Sequence, residues 1–254
     1  MISFSRTLMG IATSLALLTA PAQALDLTAM SDAERAAFRA EVRAYLLDNP
    51  EVIIEAVTLL EERQAEAEAM QDEELVAANL EELHNDGFSW IGGNPDGDIT
   101  LVEFMDYRCG YCRRAAPEVE KLLAEDGGIK LIIKEFPILG EASVITSRFA
   151  IATRLVAGSD AYKQVHDALI EFTGDPNETV LRRLAEGLGL DADAIFAMMD
   201  DAAVNHELAQ NRALAQRLKI SGTPSFVMQD EMLRGYLSAD QMSIVAADIR
   251  DQRG

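Results

Sequence analysis

Two cysteines, Cys109 and Cys112, stand three apart in Cys109-Gly110-Tyr111-Cys112 and are the only two in 254 residues. A disulfide between them would close a ring so small that it constrains the unfolded chain by only about 2 kcal/mol, before strain is subtracted. The pair is a poor staple and a workable redox device. Two thiols at a strand-to-helix junction can pass a disulfide to another protein and take it back. The pattern predicts a helix start near Gly110, running through Pro117 to Ala124, with Pro117 placed to kink it. Cys109 then lies at the helix N-terminus, where unpaired amides and the helix dipole stabilise a thiolate. Arg108 next to it would add positive charge. Cys112, one turn along and facing inward, would be the resolving thiol.

Metal chemistry is the competing use of such a pair. A structural zinc site needs a second pair of ligands, and His84, His166 and His206 lie far in sequence from the cysteines and from one another. These histidines read as surface or capping residues. Cu(I) needs only two soft thiolates, so Cys109 and Cys112 could hold it without help. Beyond a redox-active Cys109–Cys112 disulfide, no cofactor is implied.

The elements that must position these thiols follow a segment of another kind. Arg6, the apolar run Leu8 to Leu18 and Ala22-Gln23-Ala24 have the layout of a secretory signal peptide over residues 1–24. The apolar run is too short to cross ~30 Å of hydrocarbon, so export without membrane insertion is expected, with cleavage near Ala24. Export would place the cysteines in an oxidising compartment. A net charge of −21, from 22 Lys+Arg against 43 Asp+Glu, opposes binding to nucleic acid or anionic lipid.

A helical front comes next. Ser31 can cap a helix whose first turn holds Asp32 and Glu34, and Phe38, Val42, Tyr45 and Leu46 form its apolar stripe. Asn49-Pro50 breaks it, with proline pre-set for the first position of a second helix carrying Ile53, Ala56, Val57 and Leu60. The two stripes bury too little to stand alone. Either they fold back on the body or they meet identical stripes on other subunits, and long helices with a narrow seam suit the second. From Glu51 to Glu82 there are eleven acids and one base, Arg63. Residues 25–62 therefore read as a helical oligomerisation region and 63–86 as an acidic helical linker.

The body, 87–254, is mixed α/β. Ile99 to Met105 reads as a buried strand with Glu103 embedded in it, and Leu131 to Phe136 as a second strand ended by Pro137. Amphipathic helices fill about 141–218. Short strands follow at Ser225 to Met228 and Met232 to Tyr236, then a last helix from Ser238 to about Arg250.

The run Leu101-Val102-Glu103-Phe104-Met105-Asp106-Tyr107-Arg108 leading into the cysteines resembles the active-site strand and helix start of DsbA-like thiol:disulfide oxidoreductases. Ser221-Gly222-Thr223-Pro224-Ser225-Phe226 resembles their cis-proline loop. The acidic front is similar to the ScsC group, linked to suppression of copper sensitivity, some of whose members oligomerise through it. The resemblance implies an α/β thioredoxin fold with an inserted helical domain, preceded by an N-terminal α-helical stalk. It implies that Cys109 is the nucleophile, Cys112 the resolving cysteine and Pro224 the cis-proline, with the Thr223 backbone free to hold a substrate strand. Glu103 falls where the family often has a buried acid, able to relay a proton to or from Cys112.

Direction is legible only through the same resemblance. The family's oxidases commonly have histidine before the second cysteine, where this chain has Tyr111. Gly110-Tyr111 and Thr223 look like the corresponding pairs in periplasmic disulfide isomerases. The resemblance thus implies a periplasmic homo-oligomer acting on exported proteins with cysteines. A membrane-bound thiol reductase would keep it reduced. A DsbA-type oxidase and a Cu(I) relay are the alternatives.

Overall fold

The computed structural model describes residues 29–253. The expected signal peptide, 1–24, and the first residues of the expected oligomerisation region lie outside these. The chain divides into two compact units at residues 61 and 62.

In the first unit, α1 (Asp32–Asp48) starts as its residues dictate. Ser31 Oγ accepts from the Glu34 amide at 3.3 Å, and the Ser31 amide donates to the Glu34 carboxylate at 2.8 Å, a reciprocal cap. Asn49 closes the helix, its side-chain amide donating to the Tyr45 carbonyl at 2.9 Å. α2 (Glu51–Ala78) begins one residue after Pro50, not at it. None of the residues of α1 is buried, and Leu47 and Ile54 are 62% and 67% exposed.

The second unit holds the sheet. Its strands are β1 (Trp90–Gly93), β2 (Ile99–Met105), β3 (Ile129–Glu135), β4 (Ser225–Met228) and β5 (Glu231–Arg234), in the order β1-β3-β2-β4-β5. Only β2 and β3 run parallel; the other neighbours are antiparallel. β1 carries no sequence signal of alternation, being four residues ending in two glycines. Gly92 is required there because a Cβ would sit 2.1 Å from the Trp90 ring. β5 starts and ends earlier than the pattern predicts, because Gln229 and Asp230 form a two-residue turn that pairs Met228 with Glu231.

One sheet face, with Leu101, Met105, Leu131, Ile133, Phe226 and Met228, packs on α4 (Gly110–Asp126), α5 (Glu141–Ala157), α6 (Ser159–Glu171) and α10 (Ala239–Arg253). The helices α7 (Glu178–Gly187), α8 (Ala192–Met198) and α9 (Ala202–Arg217) complete the block expected at 141–218. On the opposite face Val102, Phe104, Ile132 and Val227 meet Leu214 and Leu218 from α9 and its end, together with Val76 and Leu83.

Those last two residues revise the expected linker over 63–86. Its second half is part of the core: Val76 at the end of α2 and Leu83 in α3 (Leu80–His84) are fully buried. Arg234 fixes the segment by donating to both carboxylate oxygens of Asp72, at 2.6 and 3.1 Å. The apolar stripe that the sequence shows recovering at Leu75, Leu80 and Leu83, with Val76 beside it, finds an uncovered sheet face. Leu83→Ala should therefore cost about 2–4 kcal/mol of unfolding free energy in urea titrations. A loss below about 0.5 kcal/mol, the range of exposed positions, would contradict this packing.

Candidate active site

The chain leaves β2 into a turn built by Asp106. Its Oδ1 accepts from the Arg108 amide at 2.8 Å, and its carbonyl accepts from the Cys109 amide at 3.0 Å. Its Oδ2 accepts from the amides of Ile138 at 2.8 Å and Leu139 at 3.1 Å. One buried carboxylate thus ties the cysteine turn to the loop after β3. Cys109 follows as the N-cap of α4, in an extended conformation and with its side chain making no capping bond. That leaves its sulfur free for other partners. Sγ donates to the Thr223 carbonyl at 3.1 Å, so this carbonyl is engaged by the thiol. The Thr223–Pro224 peptide is cis. Pro224 is held in turn by its carbonyl, which accepts from the Gly235 amide at 3.0 Å.

Cys112 lies one turn into α4, with no exposure at all. Burial pushes its thiol far above the ordinary range, and the charge of Glu103 pushes it further. Glu103, in the middle of β2, is itself raised to about 8, first by burial and then by Glu135 and Glu120. The three positions Cys109, Cys112 and Glu103 therefore differ in kind: a sulfur at a helix end, a sealed thiol, and an acid that changes charge near neutral pH. Glu103 also lines a cavity of about 720 Å³ between the sheet, α4 and α6, with Arg113, Glu120, Lys163 and His166 among its other walls.

Two expectations need correction. Arg108 commits its guanidinium to the Gly174 carbonyl at 2.9 Å, and Arg113 reaches the Phe172 and Tyr107 carbonyls at 2.9 and 3.1 Å. These arginines clasp the loop after α6. His166 is not a surface residue: it is buried against Tyr107, whose hydroxyl lies 3.1 Å from Nδ1. Among the described residues no group of three or more His, Cys, Asp or Glu is placed to hold a metal ion. The sequence reading missed Asp106, Arg113 and Glu135. Glu135 ends a strand that also carries Lys130 and Lys134, so the sequence does not set it apart as apolar neighbours set Glu103 apart.

Residues 100–245 match the family model of the DSBA-like thioredoxin domain, and residues 34–67 match that of the copper resistance protein ScsC N-terminal domain. A thioredoxin-like oxidoreductase from Silicibacter pomeroyi is 40% identical with a TM-score of 0.63, covering 67% of this chain and 97% of that one. ScsC from Proteus mirabilis, in a transitional conformation, is 27% identical with a TM-score of 0.63, covering 86% of this chain and 98% of that one. Among curated relatives, the Na(+)/H(+) antiporter NhaA 3 of Salinispora tropica is 27% identical over 153 residues, or 60% of this chain. The chain spans 23% of that antiporter's length.

Burial of Glu103 has a measurable consequence for stability. Its carboxyl is raised in the folded state, so the stability it contributes is complete below the unfolded value of 4.5 and is lost as pH rises through about 8. Glu103→Gln removes that loss. The variant should be more stable than the native protein by at least about 2 kcal/mol at pH 8, with a smaller gap at pH 5. Urea unfolding at the two pH values checks this, and a gap that does not grow with pH would contradict the burial argument.

Proposed function

Because the chain belongs to the DSBA-like thioredoxin domain family and opens with an ScsC-type N-terminal domain, we propose that it is a thiol:disulfide interchange protein working as an isomerase. One observation carries the reading. Cys109 caps α4 without spending its sulfur on the helix, while Cys112 is sealed one turn below with Glu103 acting on it.

The chemistry follows from that asymmetry. Cys109 thiolate attacks one sulfur of a wrong disulfide; that S–S bond breaks, a Cys109–substrate disulfide forms, and a substrate thiolate departs. A substrate thiolate then attacks the substrate sulfur of the mixed disulfide, reforming a substrate disulfide and returning Cys109 with its electron pair. A stalled intermediate is cleared from below. In the minor fraction of molecules whose Glu103 is ionised near neutral pH, the Cys112 thiol gives its proton to that carboxylate and attacks Cys109 sulfur, expelling the substrate thiolate and leaving a Cys109–Cys112 disulfide. Two electrons have then passed to the substrate, and a membrane-bound thiol reductase restores the dithiol. Once Cys109 is a thiolate or bonded to substrate, the Thr223 carbonyl is released from the thiol and, with Pro224 behind it, can pair with a substrate strand beside the sulfurs.

Tyr111 and Thr223 favour the isomerase direction over a DsbA-type oxidase. So does the front: Phe38, Val42, Leu47, Ile53 and Ile54 are large apolar side chains left exposed in the first unit. Matching stripes of other copies would cover them, making a homo-oligomer whose catalytic domains face a shared recess. The working place is the periplasm, with exported cysteine-containing proteins as substrates. No helix among the described residues is long and apolar enough to cross a membrane.

The test is scrambled ribonuclease supplied with a catalytic amount of the protein. Recovery of ribonuclease activity over many turnovers is expected; stoichiometric oxidation alone would make it an oxidase. Tight one-to-one Cu(I) binding without turnover would identify a copper relay instead. Deleting residues 25–60 should give a monomer that keeps dithiol oxidation and loses isomerase turnover. A shortened protein that sediments at the same subunit count as the full chain would contradict assembly through these helices.

A further inference from the structure

The face of the sheet that carries Glu103 carries a second buried acid. In the parallel register of β2 and β3, Glu103 stands opposite Ile133, and Glu135 stands two residues on, opposite Met105. Alternation along the strands puts both acids on the side covered by α4 and α6. Glu135 is 1% exposed and accepts three hydroxyl bonds of 2.7 Å, from Tyr107 and Tyr162 on Oε1 and from Ser147 on Oε2. Tyr107 precedes the nucleophile by two residues. The hub therefore joins the cysteine turn, β3, α5 and α6.

We propose that Glu135 is a positioning residue of the exchange reaction: its carboxylate, held by Tyr107, Tyr162 and Ser147, keeps the neighbouring Glu103 protonated at neutral pH as the proton reserve for Cys112. The proposal rests on the thiol-exchange reading above and deepens it.

Two carboxylates on one dry face repel if both ionise, so hydrogen bonds decide which one does. Three hydroxyl donors favour the charged form of Glu135. Glu103 is governed by burial and by acidic neighbours, with no hydrogen bond among its leading influences. Burial lifts both acids, Glu135 to about 7 and Glu103 to about 8, and the three hydroxyl donors pull Glu135 back down.

The surrounding charges act on both acids, Glu120 raising Glu103 and Asp106 raising Glu135 against that order. Glu120 and the Cys112 thiol on α4 face Glu103, and the Asp106 carboxylate on the cysteine turn acts on Glu135. From α9, Glu207 feels Glu135 while paired with Arg154 of α5 at 2.5 Å. On α6, burial lowers His166 to about 4 and leaves it neutral, while Lys163 is bound to Glu120 at 3.0 Å and Asp167 at 2.7 Å on the cavity rim. Glu171 of α6 and Arg113 of α4 also line that cavity, the latter bonded to backbone carbonyls.

The step this serves is opening of the Cys109–Cys112 disulfide by a reductase thiolate. The thiolate attacks Cys109 sulfur, the intramolecular S–S bond breaks, and Cys112 leaves with the electron pair. Glu103 gives its proton to the Cys112 sulfur and is later reprotonated by solvent. The second thiolate of the reductase then attacks the reductase sulfur of the mixed disulfide, releasing Cys109 thiolate, and the reductase, its two thiols joined in a disulfide, has given up two electrons.

Glu135→Gln in the full chain keeps an acceptor oxygen for both tyrosines, removes the charge and makes the amide the donor to Ser147 Oγ. Carbon-13 NMR titration of the Glu103 carboxyl in the reduced protein, assigned by its loss in Glu103→Gln, reads the effect. The Glu103 midpoint should fall by about one pH unit. An unchanged midpoint in folded Glu135→Gln protein overturns the proposal. Ser147→Ala, which weakens the hold on the Glu135 charge, should shift Glu103 the same way by less; no shift or a rise there overturns it equally, and decides the matter if Glu135→Gln does not fold. The titration needs no substrate. A protein that shows the shift yet never restores scrambled ribonuclease would refute the exchange reading and leave the coupling intact.

Discussion

An acid and a thiol share a space too dry to hold the charge of either, and the site is organised around that restriction. Glu103 sits in the middle strand of five, and Cys112 is sealed beneath the first turn of α4. Each group in its neutral form raises no objection to burial; each in its charged form strains against the other. A proton held between them is mobile for that reason. Had either faced water, the pair would titrate as two ordinary groups, and opening a disulfide would need a proton from bulk solvent at the moment a substrate covers the entrance.

The fold supplies the dryness and the contrast together. A parallel β2–β3 pair is buried on both sides, which is why it can carry Glu103 and Glu135 on one face and Lys134 on the other, all nearly inaccessible. Lys134 is matched by Asp86, with the Glu82 carbonyl accepting at 2.9 Å, and Glu135 by three hydroxyls. Glu103 has no such compensation. Cys109 is the opposite case, carried to a helix end by the Asp106 turn and aimed at the Thr223 carbonyl. One helical turn separates a sulfur near the surface, bonded to a backbone carbonyl, from one with no exposure at all.

Much of this was readable beforehand, for stated physical reasons. The cysteine spacing, the strand from Ile99 to Met105 and the Ser31 cap are local signals, and local signals survive into structure because short-range sterics and hydrogen bonds dictate them. The family resemblance added the insertion and the proline loop. What escaped depended on distant partners. β1 pairs with β3 across forty residues of chain and has no alternation of its own, and the acidic helix end at Val76 became core only because α9 leaves a sheet face uncovered. Arg108 reads as a charge beside a thiol until the loop at 172–174 arrives to take its guanidinium. His166 reads as a surface residue until α6 folds over Tyr107. Glu135 follows Lys134 and reads as a solvated strand end until Tyr107, Tyr162 and Ser147 close on it.

The most direct measurement is the titration of Cys112 itself, by carbon-13 NMR of its β-carbon in the Cys109→Ser protein. The account predicts that Cys112 stays protonated through neutral pH and ionises only well above the range of a free cysteine. A midpoint at or below that of a free thiol would mean that neither burial nor Glu103 acts on the sulfur, and the shared proton would have no basis.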